Sequence, residues 1–280
     1  MKYHLIPGPS QLTSEEMKNK ELRGVFNEQK RKLKKDLGVL KKNNPGENDN
    51  NIYYLYDEAS MSALCEALDE NEDPSNPDEL IIHGEGQPFL LGFAQPSDYD
   101  LNPYSLAKLL QEQGLPDRNI ELSLLACNSA TEWKELNFAK DTSKALLLGG
   151  YENVTVSGYT GYVKEKPGGK YSVSSELETD RKGTHANVKD AKSSYQKGKE
   201  LKKGKKLCNF EKINFGWAMK YILRAGRDKD LAEARAKARA EANGEPNAVV
   251  HAEPSEEPSE EPSEEPSEEP SEESNSSLRP

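Results

Sequence analysis

Four apolar runs, separated by helical patterns, constrain the fold of this 280-residue chain more than any other feature. The runs are short, rich in Val, Ile, Leu and Tyr, and bounded by turn residues, which is typical of buried strands. An alternation of strands and helices indicates an α/β domain with a largely parallel sheet, and we expect helices on both of its faces. The sequence predicts strands over residues 52–56, 79–83, 119–126 and 154–159, a turn over residues 84–87, and helices over residues 60–68, 103–113 and 136–148. Asn102 is the predicted N-cap of the second helix, with Pro103 at its first position.

The segments around this pattern differ from it in composition. Residues 13–40 carry apolar side chains at helical spacing, so residues 1–50 are interpreted as an N-terminal helical segment. The domain itself is placed at residues 51–226, and it is predicted to include a β-hairpin near its C-terminal end over residues 162–175. Residues 227–250 are interpreted as an Ala-rich, charged helix.

Residues 251–280 form a tail with five copies of Pro-Ser-Glu-Glu between Pro254 and Glu273. Proline at every fourth position and dense negative charge prevent an apolar core, so a disordered acidic tail is predicted. From Glu253 onward there are eleven Glu and one Arg, so the tail holds −10 of the net charge of −11. The near-neutral remainder does not favour duplex nucleic acid as a partner, because such binding requires a basic face.

The cysteine content points to free thiols. Cys65, Cys127 and Cys208 are irregularly spaced and form no CxxC pair, so neither a disulfide framework nor a metal site is expected. No run approaches the roughly 18 apolar residues that span a bilayer, and the first residues lack the apolar run of a secretory signal. We therefore expect a soluble protein without a membrane partner, which needs no cleaved signal if it is exported.

Two of the predicted strands end at residues that can perform chemistry. His83 follows one apolar run and Cys127 follows another, and clefts in parallel sheets form at the carboxyl ends of strands. If the two strands are neighbours, the His83 imidazole can deprotonate the Cys127 thiol to give a nucleophilic thiolate. The backbone amides of Gly84 and Cys127 could then stabilise an oxyanion. The structural alternative is a small buried Cys and a His-Gly turn.

The other Cys and His residues fit structural roles better. Cys65 lies on the apolar face of a predicted helix, and Cys208 follows two lysines but no strand end presents it. His4, His185 and His251 show no partner pattern.

The motifs at residues 81–86 and 124–129, followed by the strand at residues 154–161, resemble the caspase-like (clan CD) cysteine protease domains of RTX and clostridial bacterial toxins and the related OspB effectors. The resemblance covers about residues 52–223. It implies a dyad in which His83 activates Cys127 on an α/β sandwich. It also implies cleavage of a peptide bond, often after Leu, in a host protein or in the chain itself.

Members of this family are commonly activated by inositol hexakisphosphate, which is held in a basic pocket beside a β-hairpin flap. The resemblance therefore implies this activator, with residues 162–175 as the flap. A polyphosphate requires several converging cations, whereas a lysine run that is only a solvated surface is the alternative. The candidate ligands are Lys164, Lys166, Lys170, Lys197, Lys199, Lys202, Lys203, Lys205 and Lys206.

The acidic tail resembles the C-terminal signals of effectors that are exported by type IV secretion, with a solubilising tail as the alternative. Together the resemblances imply a secreted bacterial virulence effector or toxin that acts in the host cytosol as a thiol protease. Two other functions stay open. One is a catalytically silent protein that binds a host partner through its Lys-rich segment or acidic tail. The other is a thiol acyltransferase or amidase that uses the same dyad.

Overall fold

The structure is a computed structural model that describes residues 1–12, 16–18, 20, 23–24, 26–28, 31, 51–70, 76–92, 99–166, 170–175, 185–207 and 215–242. A seven-stranded sheet forms its centre. The strands, in their order across the sheet, are β2 (Ile52–Tyr54), β1 (Lys2–Ile6), β3 (Asp78–His83), β6 (Ile120–Leu125), β7 (Val154–Tyr159), β11 (Lys192–Gln196) and β12 (Lys199–Lys202). The first five are mutually parallel, whereas β11 runs antiparallel to β7 and the edge strand β12 runs antiparallel to β11. The α/β class and the mostly parallel sheet are as predicted.

The strand β1 has no counterpart in the sequence-based assignment, which treated residues 1–50 as helical. It pairs with β2 on one side and with β3 on the other. Tyr3 and Leu5 are fully buried on one face, and His4 is buried on the other. A run of five residues is too short to show a clear period on its own, so its long-range pairing decides its structure. The predicted helix over residues 13–40 lies largely outside the described residues.

Three helices connect the parallel strands and pack against one face of the sheet. They are α1 (Glu58–Glu70), α2 (Pro103–Glu112) and α3 (Phe138–Leu148). Asn102 caps α2 by accepting bonds from the amides of Tyr104 and Ser105, and Pro103 occupies the first turn, as predicted. The core joins helix and strand side chains from this face, including Met61, Leu64, Leu106, Leu110, Phe138, Leu146, Leu80, Ile82, Leu122, Leu124 and Val156.

The expectation of helices on both faces is not met by α1, α2 and α3. Each of them carries the chain across the sheet in the same direction, from β2 to β3, from β3 to β6 and from β6 to β7. Because such crossovers are right-handed, connections that run in one direction lie on one face. The opposite face carries polar contacts between neighbouring strands, such as Ser123 with Glu79 at 3.3 Å and Lys192 with Ser123 at 3.1 Å.

A second layer covers the carboxyl end of β7 on that opposite face. Its strands are β8 (Tyr162–Lys166), β9 (Lys170–Ser174) and β10 (His185–Asn187), followed by the short helix α4 (Val188–Ala191). The β8–β9 pair is antiparallel and lies where a hairpin is predicted, although residues 167–169, which separate the two strands in the sequence, are outside the described residues. A second cluster of Tyr159, Val173 and Ala191 joins this layer to the sheet.

A small hairpin follows β3 directly. It consists of β4 (Glu85–Gln87) and β5 (Leu90–Gly92), which pair in antiparallel fashion. The sequence predicts a simple turn over residues 84–87, so β4 is an addition to the prediction. Phe89, between the two strands, packs on Trp133 with ring centroids 5.6 Å apart. This contact links the segment after His83 to the segment after Cys127.

The last described element is the long helix α5 (Phe215–Ala242), which packs on α2 and α3. The sequence-based boundary between residues 226 and 227 falls inside this continuous helix. Asn102 donates to the Asp228 carboxylate at 2.6 Å, and Arg239 donates to the Gly149 carbonyl at 2.5 Å. The acidic tail at residues 251–280 is outside the described residues. Within the described part, no helix has both the length and the apolarity to cross a bilayer.

Candidate active site

The strand order identifies one rim of the sheet as the place for a ligand. The chain leaves β1 towards β2 and leaves β3 towards β6, so the connections after these adjacent strands diverge. A crevice opens outside the carboxyl ends of parallel strands where the connections diverge in this way. His83 is the last residue of β3 and therefore lies at the rim where this rule predicts a crevice.

His83 and Cys127 lie on adjacent strand ends at the same rim. β3 and β6 pair in parallel, with His83 opposite Leu125. Cys127 follows two residues after Leu125, just beyond the end of β6. His83 and Leu125 belong to the face opposite α1, α2 and α3, because alternate strand residues point to opposite sides. The neighbour relationship on which the predicted dyad depends is therefore present.

Two backbone hydrogen bonds fix the turn that directly follows Cys127. The amides of Asn128 and Ala130 donate to the carbonyls of Gly161 and Tyr159, at 2.7 and 3.0 Å. Asn128 has a φ of 54°, a left-handed conformation that Asn tolerates better than most residues. These bonds attach the Cys127 turn to the segment between β7 and β8.

The side chain of Ser129 supports the same turn from within the protein. Ser129 is buried, and its hydroxyl lies 2.9 Å from the Ala126 carbonyl and 3.1 Å from the Leu124 carbonyl, while it accepts the Tyr159 amide at 3.0 Å. The adjacent Gly158 leaves room for it, since a Cβ there would lie 2.9 Å from the Ser129 backbone. The nucleophile candidate is thus held in one backbone conformation.

Two glycines, Gly84 and Gly86, belong to the segment that follows His83. Gly86 packs directly on the Cys127 turn, where a Cβ would come within 2.4 Å of the Cys127 carbonyl oxygen. The Gly84 amide donates to the Leu125 carbonyl across a long 3.5 Å bond. An oxyanion role for Gly84, as predicted from the sequence, therefore requires this amide to turn away from Leu125. That role stays a prediction.

The Cys127 side chain contacts the β8–β9 hairpin. Its Sγ lies 3.8 Å from the carbonyl oxygen of Val163, to which the thiol can donate a weak hydrogen bond. The thiol is partly exposed at this position. The β8–β9 pair thus lies beside Cys127, and the second apolar cluster holds it against Tyr159.

His83 has a partner that the sequence-based prediction missed. Its Nε2 lies 2.8 Å from Nδ1 of His4, which projects from the neighbouring strand β1. Burial of the ring, followed by the nearby His4, lowers the pKa of His83 to about 3. His83 is therefore a neutral imidazole at neutral pH, with one of its two ring nitrogens unprotonated. The only sequence signal for His4 was its place between Tyr3 and Leu5 in an alternating run.

The predicted polyphosphate ligands divide between the two ends of the sheet. Lys166 and Lys205 line one cleft of about 250 Å³ together with Asn187 and Asp190. Lys197 and Lys199 flank the β11–β12 turn at the opposite end, because β11 runs antiparallel to β7. Lys197 is paired there with Glu152 at 2.6 Å. Nothing is described for the side chain of Lys170.

The remaining predicted lysines are also dispersed. Lys202 donates to the Lys189 carbonyl at 2.9 Å. Lys203 and Lys206 are exposed and lie close in the sequence to Lys205, which lines the cleft. Lys164 lies on β8 and is partly buried. At most a subset of the predicted lysines can therefore contact one ligand.

The other thiol with a described position occupies a different environment. Cys65 lies in α1, and its Sγ contacts the carbonyls of Gln113 and Gly114 at 3.5 and 3.4 Å. Burial, and then the charges of Asp69 and Glu66, raise the pKa of this thiol. Cys208 and His251 lie outside the described residues. For the residues that are described, no group of three or more His, Cys, Asp or Glu side chains is placed to hold a metal ion.

No protein-family model matches the chain, and no curated protein matches its sequence.

Proposed function

We propose that the chain is a cysteine endopeptidase in which His83 activates Cys127. The observation that carries this proposal is the β3–β6 register, which brings a His and a Cys to adjacent strand ends at the crevice of a parallel sheet. The resemblance to caspase-like toxin domains and OspB effectors supports the reaction class. It extends the proposal to a secreted bacterial effector that acts in the host cytosol on a host protein or on itself.

The reaction follows from the two side chains. The Cys127 sulfur attacks the carbonyl carbon of a peptide bond while His83 accepts the thiol proton, which gives a tetrahedral oxyanion. His83 then returns the proton to the leaving amine as the carbon–nitrogen bond breaks. A water molecule, deprotonated by His83, hydrolyses the resulting thioester and restores the free thiol. Amide groups near Cys127 would stabilise the oxyanion in both halves of the reaction.

Activation by inositol hexakisphosphate is the regulatory part of the proposal. Lys166 in the cleft and Val163 beside the thiol belong to the same strand, β8. A polyphosphate that draws Lys166 and Lys205 together would therefore act on the strand whose carbonyl contacts Cys127. Asp190 in the same cleft reduces its positive charge, so other lysines must contribute to strong binding.

The test combines labelling with a search for new protein ends. The wild-type chain and Cys127→Ala, each with inositol hexakisphosphate, are treated with a thiol-directed probe and then incubated separately with a host-cell lysate. We expect labelling and new N-termini with the wild type and neither with Cys127→Ala. Cys65→Ala and Cys208→Ala serve as matched thiol controls and should behave like the wild type.

Other outcomes identify the rival functions. Labelling of Cys127 without new N-termini, but with acyl transfer or release of ammonia from a side-chain amide, would indicate an acyltransferase or amidase. Unchanged capture of a host partner by the His83→Ala/Cys127→Ala variant, without any cleavage by the wild type, would indicate a silent binding protein. Labelling that depends on Cys208 instead of Cys127 would contradict the dyad assignment.

A further inference from the structure

His4 and His83 face each other across the junction of β1 and β3. Their nearest ring nitrogens are 2.8 Å apart, and the ring centroids are separated by 5.1 Å with the planes tilted by 41°. The register pairs His4 with Ile81, so the two imidazoles are diagonal neighbours on one face of the sheet. Only 4% of His4 is exposed, so packing fixes the position of its ring.

A separation of 2.8 Å between two imidazole nitrogens is a hydrogen-bond distance, and it requires one proton between them. One nitrogen must donate and the other must accept. Two charged rings would place two N–H donors against each other, so this geometry excludes the doubly protonated pair. The lowered pKa of His83 agrees with a pair that is neutral near pH 7.

We propose that His4 is a positioning residue: its Nδ1 accepts the Nε2 proton of His83, which leaves His83 Nδ1 unprotonated for the Cys127 thiol. This inference rests on the function proposed above. β3 lies between β1 and β6, so His83 has His4 on one flank and Cys127 on the other. A nucleophile, a base and a group that orients the base are the three parts of a catalytic triad.

The arrangement also stabilises the charge that forms during the reaction. When the sulfur–hydrogen bond of Cys127 breaks, its proton moves to His83 Nδ1, and a neutral pair becomes a thiolate and an imidazolium. The Nε2–H of His83 then donates a charge-assisted bond to His4, which is stronger than the neutral bond it replaces. His4 keeps its own Nε2 proton, so no proton passes beyond His83.

The first test is a double-mutant cycle on the reactivity of Cys127. Alkylation by iodoacetamide near neutral pH is followed in a Cys65→Ala/Cys208→Ala background, so that Cys127 is the remaining thiol. His4→Leu should slow alkylation about tenfold, because the base loses its orienting partner. His4→Asn, whose amide oxygen can accept at the place of Nδ1, should retain most of the rate.

The cycle separates a positioning role from a purely structural one. In the His83→Ala background, His4→Leu should cause no further loss, because the two residues act as a unit. Equal slowing in both backgrounds, or no slowing by His4→Leu in the presence of His83, would overturn the proposal. If His4→Leu does not fold, His4→Phe, which keeps a ring at this position without a hydrogen-bond acceptor, provides the same comparison in the two backgrounds.

The second test determines which ring nitrogen of His83 carries the proton, and it does not depend on catalytic activity. Nitrogen-15 NMR of the imidazoles in Cys127→Ala should show His83 as the Nε2–H tautomer, and a mixture of tautomers when His4→Leu is added. A His83 ring that carries its proton on Nδ1, or one that does not respond to His4→Leu, would overturn the proposal. If wild-type Cys127 is no more reactive than Cys65, the proposed function fails, while this spectrum still decides whether His4 sets the tautomer.

Discussion

Gly86 lies so close to Cys127 that the two residues exclude any side chain between them. A Cβ on Gly86 would approach the Cys127 carbonyl oxygen to 2.4 Å and the Ala126 Cβ to 2.8 Å. The segment after the predicted base therefore packs against the backbone of the predicted nucleophile, and the two motifs form one structural unit.

Gly86→Ala is expected to destabilise the protein and to displace the Cys127 turn. Its neighbours are backbone atoms that cannot move aside as a flexible side chain can, so we expect a loss of about 1–3 kcal/mol in the free energy of unfolding. Urea denaturation measures this loss. The matched control is Gly226→Ala in α5, where nothing lies within 4 Å and the change should stabilise by up to about 1 kcal/mol. Equal effects of the two substitutions would contradict the packing described here.

The lowered pKa of His83 predicts a loss of stability in acid. The unfolded chain binds a proton at this residue near pH 6.5, whereas the folded chain resists protonation until about pH 3. Because the unfolded state binds more protons in this window, the stability contributed by neutral His83 is present above about pH 6.5 and is lost as the pH falls towards 3. The wild type should therefore lose more stability across this window than His83→Gln, as measured by urea denaturation at several pH values. If the free energy of unfolding fell equally with pH in the two proteins, His83 would not have a lowered pKa in the folded state.

Ser129→Ala should weaken both the fold and the reactivity of Cys127. The substitution leaves the buried Tyr159 amide without its acceptor and frees the Ala126 carbonyl. We expect a cost of about 1–3 kcal/mol, which is typical of a buried polar group that loses its partner. Denaturation and iodoacetamide labelling measure the two effects. A stable variant with unchanged labelling would show that Ser129 does not hold the turn.

Arg118→Ala should cost more than the loss of an exposed ion pair. Arg118 pairs with the buried carboxylate of Asp78 at the start of β3. Its removal leaves that carboxylate with the Met1 ammonium at 3.0 Å, so we expect the loss of a charged hydrogen bond, about 1.5–3 kcal/mol. The control is Glu152→Ala, which breaks the exposed pair with Lys197 and should cost no more than about 1 kcal/mol. Similar denaturation midpoints for the two variants would contradict this ranking.

The polyphosphate proposal predicts that the two ends of the sheet respond differently. Inositol hexakisphosphate should raise the midpoint of thermal unfolding, because a ligand that binds the folded state stabilises it. Lys166→Ala and Lys205→Ala should reduce this shift, whereas Lys199→Ala at the opposite end should retain it. An equal shift in all three variants would place the ligand elsewhere. No shift in the wild type would remove the activator and leave the dyad untouched.

The sequence could predict the helices and strands whose bounds are set by residues that are neighbours in the chain. The strand Val154–Tyr159 has the bounds that its apolar run predicts, and β3 and β6 agree with their predicted ranges to within about two residues. The cap of α2 was readable from Asn102 and Pro103, because side-chain capping and the fixed φ of Pro act within one turn. Since strand ends follow from strand bounds, the positions of His83 and Cys127 at strand ends were also readable from the sequence.

Long-range contacts in the folded protein establish which of these strand ends meet and what surrounds them. The amino-acid sequence predicts an α/β order with a His and a Cys after two apolar runs. It did not determine that β1 enters the sheet beside β3 and brings His4 to His83, nor that the predicted lysines divide between two ends of the sheet. Strand order depends on pairing between residues far apart in the chain. Such contacts leave little trace in local periodicity, because a short run such as Lys2–Ile6 is compatible with several partners until the rest of the sheet is in place.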